Sequence, residues 1–157
     1  MFKIKCNTLE EAVKRYGTIS PGKWADELKW MTVWDAPDCF ENQVLNGLTG
    51  KPCKRIYMNK DMVEPFTAVV KTLEEKGLLK HIKSFDGCFI LRDKRGLPGQ
   101  PSTHSYGLAI DLNATTNALG TDGDMNKEVV KVFIDHGFIW GGSWKRKDPM
   151  HFQFVGF

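Results

Sequence analysis

The sequence lacks several features that would define its class. It has no uninterrupted apolar run of the length that a membrane-spanning helix needs, about 18 residues. No Gly-rich phosphate loop follows a predicted strand. Basic residues form no run of five, and the net charge is only +3 at pH 7, below the level expected of a dedicated nucleic-acid-binding protein. We therefore expect no membrane insertion and no nucleic-acid partner. The densest basic groups, at residues 51–55, 92–95 and 145–147, allow a weak attraction to an anionic polymer such as a bacterial cell wall.

Cysteine is scarce, and its spacing excludes the common cysteine-based scaffolds. None of the four cysteines, Cys6, Cys39, Cys53 and Cys88, is spaced C-x2-C from another. Metal ribbons and disulfide frameworks are therefore disfavoured, and we expect reduced thiols. Residues 1–6 lack the apolar stretch of a secretory signal, so we expect synthesis in the cytoplasm without a signal peptide.

The composition is that of an ordinary globular domain. A chain of 157 residues with 41% hydrophobic residues fits one domain that buries its core without structural metals or disulfides. We divide this single domain, residues 1–157, into a helical and loop-rich part at 1–59 and a motif-bearing part at 83–154. Any bound metal is then expected to serve chemistry.

Helix signals dominate the first half. A short helix, capped by Asn7 or Thr8, should run to about Tyr16, and a second should start at residues 20–23 and continue through Trp24, Leu28 and Met31. Residues 35–54 are predicted as a loop. The clearest helix opens at Asn59, ends at Gly77 and has the apolar stripe Met62, Phe66, Val69, Val70 and Leu73.

Strand signals dominate the second half. Strands are predicted at 81–85, 88–91, 108–112, 138–140 and 151–154, with loops at 92–102 and 114–125. A helix capped by Asn126 should turn its apolar side chains inward and stop at Gly137; these side chains are Val129, Val130, Phe133 and Ile134. This order predicts an α+β fold with a small antiparallel sheet flanked by helices.

Two short segments carry the residues of a hydrolytic zinc site. Such a site takes three protein ligands, usually histidines and one carboxylate, and needs a separate carboxylate to remove the proton of the attacking water. His104, Asp111 and His151 supply the ligands, and Asp148 supplies the spare carboxylate. His104 and Asp111 are an odd number of residues apart, which would place them on opposite faces of an unbroken strand. A turn at Gly107 can correct this because glycine tolerates positive φ.

Spacing alone leaves other interpretations open. His104 could be an ordinary histidine, Asp111 could cap a turn, and His151 could simply pair with Asp148. Two further acids in the predicted 114–125 loop, Asp122 and Asp124, leave a calcium site open, although a solvated polar loop is the better interpretation.

Across residues 83–154 the sequence resembles the zinc D-Ala-D-Ala carboxypeptidase (VanY-like) family, and most closely its branch of phage L-alanyl-D-glutamate endopeptidases. The resemblance rests on Ser102-x-His104-x-x-Gly107-x-Ala109-x-Asp111 and on Asp148-x-x-His151-Phe152. The flanks are also similar: Arg92-x-x-Arg95-Gly96 before the first ligand, Asp111-Leu112-Asn113 and Asn117 after the second, and Gly137-Phe138-x-Trp140-Gly141-Gly142-x-Trp144 before Asp148.

The resemblance implies a role for each motif residue. The metal would be Zn²⁺, held by His104, Asp111 and His151, with Asp148 as the base. Arg92 would stabilise the oxyanion or grip a substrate carboxylate, although a solvated loop arginine is the alternative. Ser102 would hold the scissile peptide or orient the site. Substrate binding is assigned to Arg95 and Trp140, with the core as the alternative for Trp140. Gln153, on the strand face of His151, would tune the ligand surroundings.

The resemblance also implies a fold of the hedgehog/D-Ala-D-Ala peptidase type and a function. We expect a monomeric zinc metallopeptidase that cleaves the stem peptides of bacterial peptidoglycan. The leading hypothesis is an L-alanyl-D-glutamate endopeptidase that acts as a phage endolysin, synthesised in the host cytoplasm and acting on the cell wall after release. A D-alanyl-D-alanine carboxypeptidase is the alternative enzyme. A non-catalytic zinc-binding virion or interaction module is the alternative of another class.

Overall fold

The computed structural model describes residues 8–20 and 22–156. The predicted cap at Asn7, the thiol of Cys6 and the start of the predicted second helix at Pro21 lie outside these residues. The helices are α1 Leu9–Tyr16, α2 Glu27–Trp30, α3 Asp38–Gln43, α4 Lys60–Glu75 and α5 Lys127–Asp135. The strands are β1 Ile19–Ser20, β2 Lys23–Trp24, β3 Met31–Asp35, β4 Leu45–Asn46, β5 Arg55–Asn59, β6 Ser84–Gly87, β7 Asp93–Lys94, β8 Leu97–Pro101, β9 Ala109–Leu112, β10 Phe138–Trp140 and β11 His151–Phe154.

The main sheet has five strands in the order β10-β11-β9-β6-β4. Every neighbouring pair is antiparallel except β4 with β6, which is parallel at the edge. The remaining strands form small antiparallel pairs, β1 with β2, β3 with β5 and β7 with β8. The α+β prediction is thus confirmed, with one parallel pair added to the antiparallel sheet. No helix in the described parts of the chain is long and apolar enough to cross a bilayer.

Stacked aromatic side chains join the helices to one face of the sheet. Phe133 of α5 stacks on Phe152 of β11, with ring centroids 4.1 Å apart. Phe66 of α4 lies between Phe133 and Trp34, and so connects the β3–β5 pair to the same core. Because side chains alternate across a strand, the residues beside Phe152 point to the other face of the sheet. That face carries His151.

The long helices form where their capping residues and apolar stripes predict them. The Asn59 side chain caps α4 by accepting a hydrogen bond from the Asp61 amide, and Asn126 caps α5 in the same way. The first helix is also confirmed, since Thr8 forms a capping box with Glu11 and the helix ends at Gly17. One detail of the prediction for α5 is wrong. Ile134 is 53% exposed, because α5 packs against both α4 and β10 and buries Val132 instead.

The predictions for residues 20–54 fail more broadly. Trp24 lies in β2 and Met31 begins β3, so that only the short α2 separates two strands in place of the second helix. Trp24 is held by tertiary contacts, since its indole donates to the Tyr16 carbonyl. The predicted loop at 35–54 contains α3, which is anchored by the buried Phe40. One apolar anchor in six residues gives no recognisable helical period.

Three predictions for the segment before the first predicted ligand are wrong or shifted. The strand predicted at 81–85 begins only at Ser84, because Leu79–His81 form a 3₁₀ helix, and it runs to Gly87. Residues 88–91 pair with no strand, because backbone groups of Cys88 and Ile90 form hydrogen bonds with the turn that carries His104. Residues 92–102, predicted as a loop, contain the β7–β8 hairpin. Its tight turn includes Gly96 at φ 81°, and its side chains are mostly exposed, so no apolar alternation marks it. The strands β9, β10 and β11 and the 114–125 loop agree with the prediction.

Candidate metal centre

The two central strands place Asp111 and His151 directly opposite each other. The register of the antiparallel β9–β11 pair makes these residues Cα partners, on the sheet face away from α5. The shortest distance between the His151 Nδ1 and an Asp111 carboxylate oxygen is 3.1 Å. Two of the three predicted ligands are therefore positioned by sheet register alone.

The third predicted ligand comes from a short 3₁₀ helix, Thr103–Tyr106, which we call the histidine turn. Gly107 ends it in the left-handed conformation at φ 63°, as expected from its motif position. A Cβ at this position would lie 2.6 Å from the Met31 side chain, so glycine also allows the close packing beneath the turn. Buried Asn59 holds the turn from below, donating its amide to the Tyr106 carbonyl at 2.9 Å.

The three side chains converge. His104 Nε2 lies 3.2 Å from His151 Nδ1 and 3.3 Å from an Asp111 oxygen. Ligands held about 2.0–2.2 Å from a tetrahedral zinc ion would be about 3.3–3.6 Å apart, so the observed separations are close to those around a single ion. Both histidines are almost fully buried. Among the described residues, this is the one group of at least three metal-binding side chains whose ligand atoms meet.

Hydrogen bonds to the outer ring nitrogens fix the tautomers of the two histidines. His104 Nδ1 lies 2.8 Å from the Cys88 carbonyl oxygen, and His151 Nε2 lies 3.1 Å from the Gln153 amide oxygen. Both partners can only accept, so each of these nitrogens carries the proton. The inner nitrogens, His104 Nε2 and His151 Nδ1, are then left with lone pairs directed at one another and at a carboxylate. Such a donor set repels itself unless a cation lies between its members.

The Asp111 carboxyl is held in its charged form. Burial alone would raise its pKa, but hydrogen bonds from His104 and His151, and the charge that each imidazole carries when a second proton takes the place of a metal ion, outweigh burial and hold the pKa well below its usual range. An ionised carboxylate is the form that a metal requires. The electrostatics of the cluster are therefore those of a ligand set.

Asp148 lies beside the cluster without belonging to it. It lines the same cavity, and its Oδ1 is buried with no hydrogen-bond partner in the described residues. Burial is the main cause of a raised pKa for this carboxyl, the Asp111 charge adds to the rise, and charge on His151 opposes it. A buried carboxylate oxygen without a partner is costly and calls for an explanation. A water molecule bound for reaction would supply the missing partner.

Glycine allows the loop that carries Asp148 to approach the sheet. The Asp148 amide donates to the Gly141 carbonyl at 2.9 Å. A Cβ on Gly141 would lie 2.6 Å from the Asp148 carbonyl oxygen and 3.3 Å from the His151 Cβ. The close contact between the ends of β10 and β11 therefore depends on this glycine.

The cluster opens into a cavity of about 440 Å³. Of the remaining predicted site residues, Arg92, Arg95 and Ser102 line it. Ser102 also accepts a hydrogen bond from the His104 amide, which makes it the cap of the histidine turn. Asp122 and Asp124 are engaged elsewhere: Asp122 pairs with Lys147, and Asp124 accepts from Thr116 and Asn117.

Trp140 is not among the residues that line the cavity. Its ring packs partly into the core, and its indole donates to the Pro149 carbonyl at 2.8 Å, which fastens the 141–150 loop. Trp144 lines the cavity instead, with its ring centroid 5.3 Å from that of His151. The two tryptophans belong to the same motif but have different environments. Trp140 is the last residue of β10 and packs toward the core, whereas Trp144 lies in the loop after the strand and faces the cavity.

Thr103 is a site residue that the pattern did not reveal. Its hydroxyl donates to the Gln153 amide oxygen at 3.0 Å, and the same oxygen lies 3.1 Å from His151 Nε2, so Thr103 joins the hydrogen bonds around the cluster. The cavity wall also contains Lys94, Lys145 and Arg146, which come from two surface segments. The three cations belong to the dense basic groups at 92–95 and 145–147, whereas only its position beside His104 could have suggested Thr103.

Comparison with known protein families agrees with this geometry. Residues 95–154 match the model of a family described as D-alanyl-D-alanine carboxypeptidase. The matched segment includes the histidine turn, β9, the 141–150 loop and β11, and therefore every residue of the cluster together with Asp148. It supports the resemblance at the level of this peptidase family and carries nothing specific to the phage endopeptidase branch.

Proposed function

We propose that this protein is a zinc-dependent peptidase that hydrolyses the stem peptides of bacterial peptidoglycan. The observation that carries the proposal is the convergence of two unprotonated imidazole nitrogens and a carboxylate at 3.1–3.3 Å, beside a buried carboxylate without a partner. The family match over the same residues supports the reaction class. We further propose a fold of the hedgehog/D-Ala-D-Ala peptidase type.

His104, Asp111 and His151 would hold the ion. When bound by three protein ligands, zinc keeps an open coordination position, polarises a carbonyl and lowers the pKa of a bound water to about 7. The donor set fits zinc, since two imidazoles and one carboxylate are a common hydrolytic combination.

The side chains around the cluster would transfer the proton, stabilise the oxyanion and bind the substrate. Asp148 accepts the proton of the attacking water and returns it to the leaving amine, for which its raised pKa and unpartnered Oδ1 are suited. Arg92 offers a guanidinium to the developing oxyanion or to a substrate carboxylate. Ser102 keeps its hydroxyl proton free for a substrate carbonyl, because its oxygen accepts from the His104 amide. Arg95, on the cavity wall, remains a proposed substrate-binding residue, whereas for Trp140 we propose a structural role in the 141–150 loop.

The bond cleaved is the finer part of the proposal. We favour the L-alanyl-D-glutamate bond and action as a phage endolysin on the cell wall, because the flanking motifs resemble that branch. A D-alanyl-D-alanine carboxypeptidase is the second candidate, favoured by the description of the matched family. Mass spectrometry of digested peptidoglycan separates them: the first releases the stem peptide from the sugar-linked alanine, whereas the second removes one terminal alanine.

Substitution of the proposed base tests the catalytic claim. Asp148→Asn should retain one zinc per chain and lose turnover by roughly 100- to 10,000-fold, the usual contribution of a general base. Asp35→Asn, on the exposed carboxylate of β3, is the matched control and should keep full turnover. Near-normal turnover of Asp148→Asn would remove Asp148 from the mechanism.

Loss of a ligand tests the metal claim. His104→Ala should lose both zinc and activity, and a variant with full zinc content would contradict the proposed ligand set. A zinc-loaded protein that releases nothing from cell walls, with or without a chelator, would favour a non-catalytic zinc-binding module.

A further inference from the structure

Five cationic side chains line the cavity above the metal cluster, and none forms an ion pair with a described acidic side chain. They come from two separate segments of the chain. Arg92, Lys94 and Arg95 belong to the segment around the β7–β8 hairpin, and Lys145 and Arg146 follow the Gly-Gly turn after β10. Other described basic residues, such as Lys80 and Lys127, also lack an ion pair, so what distinguishes these five is that they line one cavity.

We call Lys94 and Arg95 the hairpin wall and Lys145 and Arg146 the loop wall. The two walls meet where the Arg146 guanidinium lies 3.5 Å from the Arg95 carbonyl oxygen. Each wall offers one guanidinium and one ammonium group to the same cavity. Like charges gathered around one cavity destabilise each other, and an anion between them would relieve that cost. Below the walls, Asp111 and Asp148 make the base of the metal-free cavity acidic, so in the metal-free protein an anionic group would bind to the walls and not to the base.

We propose that the two walls bind two different carboxylates of one acidic peptide, so that the enzyme prefers stem peptides with free carboxylates over amidated ones. This inference rests on the proposed function, because it places the peptide in the same cavity. A volume of about 440 Å³ suits a short peptide segment. Apolar Leu97 and Met150 share the cavity with the cations. A concave site of this kind, open to solvent on one side, fits a short peptide better than the flat basic stripe along which a polymer backbone binds.

The size of the preference follows from the exposure of the charges. An exposed ion pair contributes about 0.2–1 kcal/mol, which corresponds to roughly 1.4- to 5-fold in affinity. With both walls engaged, a peptide with two carboxylates should bind roughly 2- to 25-fold more tightly than its diamide. Amidation of one carboxylate should cost about half of this in free energy.

The experiment measures binding to the metal-free full-length protein, so that it does not depend on hydrolysis. Fluorescence anisotropy is recorded with a labelled stem peptide that carries the D-Glu carboxylate and a C-terminal carboxylate, with its two monoamides and with its diamide. Three double variants are compared with the unmodified protein. They are Lys94→Gln with Arg95→Gln, Lys145→Gln with Arg146→Gln, and, as a control of equal charge change outside the cavity, Lys80→Gln with Lys127→Gln.

Each wall variant should lose its response to amidation of one carboxylate and keep its response to the other, whereas the control should respond as the unmodified protein does. Equal affinity for the diacid and the diamide, or no detectable binding of the diacid, would overturn the inference. An equal loss in the control would also overturn it, because the effect would then follow net charge. Stronger competition by poly(glycerol phosphate) than by the diacid would assign the walls to a phosphate polymer instead.

The outcomes separate this inference from the proposed function. A protein that shows the predicted binding pattern but cleaves nothing when loaded with zinc would contradict the catalytic proposal alone. A protein that cleaves amidated and free peptides with equal KM would contradict the two-wall inference alone.

Discussion

Replacement of Gln153 by methionine should weaken zinc binding without touching a ligand. The Gln153 amide oxygen accepts from His151 Nε2 at 3.1 Å and thereby leaves the inner nitrogen, Nδ1, free for the metal. Methionine keeps the volume of the side chain but offers only a weak acceptor. His151 then has no partner that favours the metal-binding tautomer, and its Nδ1 can carry the proton toward Asp111 instead.

The size of the loss in zinc affinity follows from the burial of His151. His151 is only 6% exposed, so an outer nitrogen left without its acceptor costs about 1–3 kcal/mol in the metal-bound state. This corresponds to a zinc Kd roughly 5- to 150-fold higher, in the range usually found when a hydrogen-bond partner of a metal ligand is removed. Thr103→Val should have a smaller effect in the same direction, because the amide then loses the hydroxyl that fixes its orientation.

The assay is competition for zinc against a chromophoric chelator, supported by nitrogen-15 NMR of the histidine side chains in the metal-free protein. The NMR spectrum should show the proton of His151 on Nε2 in the unmodified protein, and a shift toward Nδ1 in Gln153→Met. Gln153→Glu is the control that retains an acceptor, and it should bind zinc at least as tightly as the unmodified protein.

Equal zinc affinity for Gln153→Met and Gln153→Glu would refute this reasoning. So would a His151 proton on Nδ1 in the unmodified protein, because the hydrogen bond to Gln153 could not then be the device that selects the ligand nitrogen.

Three further predictions concern the support of the site. Asn59→Ala should lower the free energy of unfolding by about 2–4 kcal/mol in a urea titration, since it removes a helix cap and the buried hydrogen bond to the histidine turn. Asn126→Ala removes a helix cap alone and should lower the free energy of unfolding by about 1 kcal/mol. Gly141→Ala should cost about 1–3 kcal/mol and reduce turnover, because its Cβ would press on the carbonyl of the proposed base; unchanged melting and kinetics would contradict the contact. Burial raises the pKa of Cys53 to about 11 and that of Cys88 further, so both thiols should resist a thiol reagent at about pH 8 until urea unfolds the protein, and rapid labelling of either would count against their burial.

The sequence was informative where a single residue type fixes a local geometry. Asn59 and Asn126 act as caps, and Gly107 turns the chain so that His104 joins the face of Asp111. The strands that carry Asp111 and His151 were predicted at 108–112 and 151–154 and are observed at Ala109–Leu112 and His151–Phe154. Their exact register follows from pairing between distant segments and could not be read from either segment alone.

The sequence was uninformative where tertiary contacts decide the structure. Trp24 and Met31 have helical spacing, yet the contact of Trp24 with Tyr16 and the pairing of β3 with β5 place both residues in strands. The β7–β8 hairpin is exposed and polar, so only its backbone turn defines it. The basic groups at 92–95 and 145–147 were visible in the sequence, but only the hairpin and the loop after β10 bring Lys94, Arg95, Lys145 and Arg146 to one cavity. Trp140 was predicted to bind substrate because it lies in the motif, yet its indole supports the 141–150 loop by a hydrogen bond to the Pro149 carbonyl.

The pairing of Asp111 with His151 across β9 and β11 has a mechanical consequence. A cation shared by opposite residues of two adjacent strands ties the last strand of the chain to the centre of the sheet, where a slip of one residue would separate the ligands. Occupancy by zinc should therefore slow amide hydrogen exchange in β9 and β11 more than in the β3–β5 pair, which holds no ligand. The ion would then hold the two strands in register as well as supply its chemistry. Depletion of zinc would loosen the pairing of β9 with β11 before the rest of the molecule opens.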